Sequence, residues 1–247
     1  MIKLDPITHI YTNDKGEPYI SVSQILKHFQ EPFDPNGYIA FAVAKKRGIS
    51  KHAVQAEWRA NGDQANAHGT NIHTVLQTYL ETGKIPEETT PDFSYVKSLQ
   101  EIEFNGKLEC EVILSNDKYK IAGTTDLKER YKKRYNIWDY KTNKEITFYS
   151  KYDKTFLPPI GHLEDCKFNY YALQLSFYAW LCQSAGETIG RLGILWFEPI
   201  TKAIQIYNVP YMRYEIEAII NSTDFKTIQT KYFDEIKEKI SDNKRTV

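Results

Sequence analysis

Three short stretches of this chain carry residue types that could share one reaction. Gly69-Thr70-Asn71-Ile72-His73 offers an imidazole, Gly123-Thr124-Thr125-Asp126 a carboxylate, and Asp139-Tyr140-Lys141 a carboxylate beside an ammonium. A fourth, Gln174-x-x-x-Tyr178, adds an amide and a phenol. Hard divalent cations take oxygen ligands, commonly one or two carboxylates with waters and substrate phosphate. An ammonium beside such a site can orient a water against a phosphoryl group. Each piece alone is commonplace; together they supply the set of groups that a metal-dependent phosphodiester hydrolase needs.

On a strand, residues two apart share a face. Asp139 and Lys141 are therefore expected to project together, with Trp138 and Tyr140 turned the other way into packing. Taken alone, the pair reads equally as a surface ion pair on an edge strand. Asp126 changes that reading. It closes a strand over 121–127 and precedes Asp139 by 13 residues, room for two antiparallel strands and a turn near 131–135 that sets the carboxylates side by side. Gly123 permits a close approach by another group or marks a bulge. Glu111, on the preceding strand, is either a third carboxylate of this cluster or a solvated strand residue. His73 lies four residues after Gly69 on a predicted helix, so the two share a face. The glycine is expected to let that helix approach a neighbouring backbone and set the imidazole over the sheet. His68, five residues from His73, points elsewhere. Gln174 and Tyr178, i and i+4 on a helix, can reach one site.

The elements that must position these groups follow from hydrophobic period and turn residues. A hairpin is expected over 7–12 and 18–21, then a capping box at Ser21-x-x-Gln24 opening a helix over 22–29. Helix follows over 38–82, divided by Gly48 and Gly62 into three, and again over 92–104. Strands are expected over 108–115, 119–130 and 134–142, a helix over 169–185, strands over 190–198 and 202–208, and amphipathic helices from Tyr211 onward. The predicted class is α/β, a mixed sheet flanked by helices with an N-terminal helical lobe. One domain over 1–247 is expected: hairpin and helical lobe over 1–60, core over 61–210, C-terminal helices over 211–247.

Two segments bear on substrate. The stretch 144–168 has no clear period and carries Phe148, Tyr149, Tyr152 and Phe156 among Lys144, Lys151 and Lys154. Loops of this length are often lids or binding loops, and aromatics among lysines suit single-stranded nucleic acid. It reads as a strand-guiding loop, with Phe148, Tyr149 and Lys144 as contacts, or as a surface excursion whose aromatics pack down. Lys128, Arg130, Lys132, Lys133 and Arg134 are expected on a basic hairpin tip roughly 15–20 Å from Asp126. That tip either holds flanking duplex or is a solvated turn.

Lys and Arg number 32, as do Asp and Glu. Zero net charge disfavours long-range attraction to nucleic acid as the main driving force, though a local basic groove suffices for an enzyme. No apolar run reaches the roughly 18 residues of a membrane span, and no signal-peptide pattern opens the chain, so a soluble cytoplasmic protein without membrane partners is expected. Cys110, Cys166 and Cys182 form no CxxC pair and are too few for a zinc or iron–sulfur set.

The four pieces, in this order, resemble the PD-(D/E)XK nuclease superfamily, most closely its RecB-type and phage exonuclease branch. The family's G-x-x-x-H helix corresponds to Gly69 and His73, and its G-x-x-D strand end to Gly123 and Asp126. Its (D/E)-x-K strand corresponds to Asp139 and Lys141, and its Q-x-x-x-Y helix to Gln174 and Tyr178. The likeness covers about 58–182. It implies a restriction-endonuclease-like core and Mg²⁺ or Mn²⁺ held by His73, Asp126, Asp139 and the Tyr140 carbonyl, with Glu111 as a further candidate. It also implies a water positioned or deprotonated by Lys141, and products ending in 5′-phosphate and 3′-hydroxyl. Gln174 would orient Lys141 or a substrate phosphate, and Tyr178 would contact the substrate backbone. An iron–sulfur cluster, carried by members with four cysteines, is not expected. The activity implied is a DNA exonuclease on single strands or free ends. Its setting would be phage or mobile-element recombination or DNA end processing, in a bacterial or phage-infected cell, with a recombination or single-strand-binding protein as candidate partner. A structure- or site-specific endonuclease of the same fold, a non-catalytic nucleic-acid-binding module and a structural protein whose charges merely pair are the alternatives.

Overall fold

The first strands are short: β1 (Ile2–Leu4), β2 (Tyr11–Asn13) and β3 (Pro18–Ser21), paired antiparallel in that order. The hairpin expected from residue 7 begins only at Tyr11. Asp5 Oδ1 accepts from the Ile7 and Thr8 N–H groups and His9 takes φ 53°, so the alternating residues before Tyr11 form a turn. Ser21 then starts α1 (Val22–His28) through the expected capping box, its hydroxyl accepting from Gln24 N and Gln24 Oε1 accepting from Ser21 N. The computed structural model describes residues 1–245 of the chain.

Helices α2 (Tyr38–Arg47) and α3 (Lys51–Thr82) replace the three expected over 38–82. Gly48 and Gly83 end them in the left-handed conformation at φ 66° and 73°, the role in which glycine carries no Cβ penalty. Gly62 ends nothing. A glycine inside a helix costs only about 1 kcal/mol against alanine, and α3 absorbs it over 32 residues. Helix α4 (Pro91–Gln100) follows, shorter than expected at its C-terminus.

Strands β4 (Lys107–Asn116), β5 (Ile121–Tyr131) and β6 (Arg134–Lys141) form an antiparallel meander. Helix α5 (Lys167–Ser184) crosses back so that β7 (Ile189–Phe197) runs parallel to β6, and β8 (Ile204–Val209) pairs antiparallel with β7. Helices α6 (Arg213–Asn221) and α7 (Thr223–Arg245) complete a central mixed β-sheet flanked by helices. Among the described residues, no helix is long and apolar enough to cross a membrane.

Alternation along the strands divides the interior into two layers. Ile121, Ile137, Leu192 and Ile194 pack under α1, α5, α6 and α7. Leu127, Trp138, Tyr140, Leu195 and Phe197 pack under α3 and α4 through Ile72, Leu76, Tyr95, Val96 and Leu99. As expected, Trp138 and Tyr140 face the second layer.

The sheet forks. β5 pairs with β4 along nearly its whole length, but its other edge is shared. Parallel β3 takes Ile121 and Ala122, and β6 takes Leu127 to Tyr131. The ladder between β5 and β6 ends at Leu127↔Trp138, just before Asp126 and Asp139. Beyond it, β6 continues against β7 alone, with Asp139 opposite Ile194 and Lys141 opposite Trp196.

Candidate active site

The fork frees backbone and side chains that a continuous ladder would occupy. Tyr140 N–H donates to Asp126 Oδ2 at 2.7 Å instead of to a strand carbonyl, fixing that carboxylate. Asp126 Oδ1 faces His73 Nδ1 at 3.3 Å, and Glu111 Oε1 stands 4.0 Å from the same nitrogen. One ligand atom from each of His73, Glu111 and Asp126 lies within 4.8 Å of the others. The His73 ring is held edge-on against Tyr140, centroids 5.7 Å apart.

Glu111 joins the cluster through an irregular backbone. The β4–β5 register runs Cys110↔Leu127 and Val112↔Thr125 without it, and its φ is +48°. A non-glycine residue in the left-handed region costs roughly 1–2 kcal/mol, so the surrounding ladder must impose it. Burial, then the Asp126 charge, pushes the Glu111 carboxyl up to about 7.

Asp139 and Lys141 face α5 and form an ion pair, both largely buried. Burial raises Asp139 to about 6, although the Lys141 ammonium opposes the rise. Asp126 goes the other way. Burial would raise it, but His73, Lys141 and the Tyr140 N–H together hold it below the usual carboxylate range. Lys141 is disfavoured as a cation by burial, yet Asp139 and Asp126 outweigh that and raise its pKa. In this state Lys141 is an ammonium, suited to orienting a water or phosphate oxygen rather than to taking a proton. His73 is likewise raised, the Asp126 charge overcoming burial.

A cation suits this donor set. Two acidic side chains and an imidazole converge, and Asp139 Oδ2 is buried nearby with only the crowded Lys141 ammonium beside it and no hydrogen bond of ordinary geometry. Carboxylate oxygens with one imidazole form a donor set able to hold a divalent cation.

The two motif glycines differ. A Cβ on Gly123 would stand 2.6 Å from Tyr178 Cε1 and 3.1 Å from Val22 Cγ2, so this residue does permit a close approach. A Cβ on Gly69 would meet only Thr142 Oγ1, at 3.8 Å, so the expected close approach of α3 does not depend on it. Tyr178 is 4% exposed and accepts from Gln174 Nε2 at 2.9 Å. It packs inside the fork, its phenol turned to Gln174. Gln174 is turned to Tyr178 in this structure, with no bond to Lys141.

Sequence reasoning overlooked Tyr171, whose ring lies 4.7 Å from Lys141 Nζ. Its spacing gave the signal: Tyr171, Gln174 and Tyr178 are i, i+3 and i+7, one stripe of α5. The loop over 142–166 resolves into two behaviours. Phe156 is buried, while Phe148 packs on Phe168 and Tyr207 at 4.9 and 5.6 Å. Tyr149 and Tyr152 stay 78% and 72% exposed, and Lys144 is exposed. The expected basic tip loses one member. Lys128 is buried, its ammonium 2.7 Å from Glu187 and 4.2 Å from the Tyr135 ring centroid. Of the cysteines, Cys166 occupies the N-cap position of α5 without a side-chain cap bond, Cys182 is in the core, and Cys110 is half-buried beside Glu111.

No protein-family model matches the chain, and no curated protein matches it in sequence. Among solved structures, a "Putative exonuclease" from Eubacterium rectale aligns over 86% of this chain and 82% of its own, at 12% identity and TM-score 0.42. A protein named SSO0001 aligns over 84% and 83%, at 14% identity and TM-score 0.36. At these values the likeness settles neither family nor activity.

Proposed function

We propose that this chain is a metal-dependent nuclease of the PD-(D/E)XK kind, a DNA exonuclease hydrolysing phosphodiester bonds, with a place in recombination or end processing. The observation that carries the reading is the fork. His73, Glu111 and Asp126 come from three separate elements and meet at the point where β5 and β6 part, with Asp139 and Lys141 alongside. A merely structural ion-pair network has no need of a strained Glu111 and two carboxylates at one opening.

His73, Asp126 and Asp139, with Glu111 and the Tyr140 carbonyl, are the groups that would hold the cation. When bound, a divalent cation supplies positive charge for a phosphoryl oxygen and acidifies water. Asp126, fixed by the Tyr140 N–H, keeps a deprotonated oxygen toward His73. Lys141 Nζ, kept protonated by Asp139, offers N–H donors to the water or to the phosphate as negative charge develops. The Tyr171 ring flanks that ammonium at 4.7 Å. Gln174 and Tyr178 brace the inner wall of the fork.

The test is degradation of end-labelled linear single- and double-stranded DNA in Mg²⁺ or Mn²⁺, with closed circles as control. Linear substrates should be consumed and circles spared. Asp126→Asn, Asp139→Asn and Lys141→Ala should each lower the rate by roughly a hundredfold or more. Cut circles would move the reading to an endonuclease of the same fold. Binding without any cleavage would make the chain a non-catalytic module.

A further inference from the structure

A cleft of about 410 Å³ opens beside the reaction centre, lined by Tyr149, Tyr152, Tyr170 and Tyr171 together with Lys151 and Lys167. Tyr171 belongs to both places, one wall of the cleft and the ring under Lys141. Of Phe148, Tyr149 and Lys144, named above as substrate contacts, Tyr149 lines it, with Lys151, Tyr152 and Lys154 of the same loop. The volume lies within the roughly 300–1,000 Å³ of small-ligand pockets.

The cleft is built in advance. Its outer wall is the loop over 142–166, which has almost no regular structure yet is pinned at many points. Phe156 and Ile160 anchor it in the core. Leu157 N donates to Phe29 O at 2.7 Å, Asp165 N to Lys154 O at 2.8 Å, and Phe168 N to Thr147 O at 3.0 Å. Ser150 N donates to Glu164 at 2.8 Å, and Gln30 Nε2 to Asp165 at 2.7 Å. Such a frame holds Tyr149 and Tyr152 out in water, where exposed aromatic rings gain nothing for stability. Lys154 is already paired with Glu31. Lys151 and Lys167 carry no salt bridge to a carboxylate among the described residues.

We propose that this cleft holds the base of an unpaired nucleotide beside the reacting phosphate, making single-stranded nucleic acid the substrate class. The inference rests on the nuclease reading for the identity of the reacting phosphate, but not for the binding itself. In a duplex both ring faces of a base are covered by its neighbours, so only a splayed base can enter among tyrosine rings. Stacking on such rings is indifferent to sequence, because every base has a π-face. Lys151 and Lys167 then meet backbone phosphates on either side of the stacked base.

The test is binding in the presence of chelator, where no turnover occurs, read by fluorescence anisotropy. The probes are a labelled oligo-dT, an abasic strand of the same length and charge, and a blunt duplex. Wild-type protein should hold oligo-dT more tightly than either other probe. Tyr149→Ala and Tyr152→Ala, both at exposed positions, should weaken oligo-dT roughly 5- to 150-fold and leave the abasic strand unchanged. Tyr152→Phe should restore affinity, since the ring and not the hydroxyl stacks. Equal affinity for oligo-dT and abasic strand, or an alanine effect that falls equally on duplex, overturns the proposal even if cleavage is intact. Base-dependent binding without cleavage in Mg²⁺ or Mn²⁺ overturns the nuclease reading alone.

Discussion

Gly69 and Gly123 occupy matching positions in the sequence argument, three or four residues before a chemical group, and the packed molecule treats them differently. Gly123 faces the Tyr178 ring at a distance no Cβ tolerates, and Tyr178 has nowhere to retreat in its buried site. Gly123→Ala should cost about 1–3 kcal/mol through overpacking, with a lower urea midpoint and impaired catalysis. Gly69→Ala meets only Thr142 Oγ1 at 3.8 Å and sits inside a helix. It should be neutral or stabilise by up to about 1 kcal/mol. Comparable losses in both variants would return Gly69 to the close-approach role. The residue types of the site were legible because their chemistry is local: Asp139 and Lys141 share a face on any strand. Tyr178's burial and the left-handed backbone at Glu111 were not, since the first depends on packing of α5 against the sheet and the second on the β4–β5 register.

Elements were read best where short-range rules decide them. The capping box at Ser21 and Gln24 and the turn at Lys132-Lys133 each follow from a few neighbouring residues. Gly62 was misread because glycine is a helix end only when the backbone turns left-handed, as at Gly48 and Gly83. Continuity of α3 matters, since it carries His73 from the α2 pairing to the fork. Gly62 is in open space, with nothing within 4 Å of an added Cβ. Gly62→Ala should therefore stabilise by about 0.5–1 kcal/mol, raising Tm by about 1–4 °C without altering cleavage. Ser21→Ala should act oppositely, losing about 1 kcal/mol as the Gln24 N–H goes uncapped. A fall in stability on Gly62→Ala would mean that α3 hinges there. The fork itself, which shares one edge of β5 between β3 and β6, could not be read in advance, because pairing partners as distant in sequence as Ile20 and Ile121 leave no local trace.

At the scale of the whole molecule, the site's electrostatics should appear in global stability. Glu111 titrates near 7 in the folded chain against an ordinary 4.5, chiefly through burial and then through Asp126. Between those values the folded protein holds a proton at Glu111 that the unfolded chain has released, so Glu111's contribution to stability without cation falls as pH rises through that window and is constant above it. The full shift would be worth about 3 kcal/mol, but Glu111 is more than a third exposed, and solvent screening brings the cost nearer about 1 kcal/mol. Glu111→Gln removes the charge, and at about pH 8 in chelator it should raise Tm by roughly 2–4 °C. A divalent cation reverses the balance. At a hundredfold excess over Kd it should stabilise the wild type by about 2.7 kcal/mol, or roughly 5–10 °C, and stabilise Glu111→Gln much less. Thermal melts of both proteins in chelator, Mg²⁺ and Mn²⁺ across pH 5–9 decide the point. An equal cation shift in the two would remove Glu111 from the ligand set and leave its left-handed backbone without a functional reason. A smaller shift in the variant, paired with its higher melting point in chelator, would show that the chain gives up stability to keep three carboxylates at one opening.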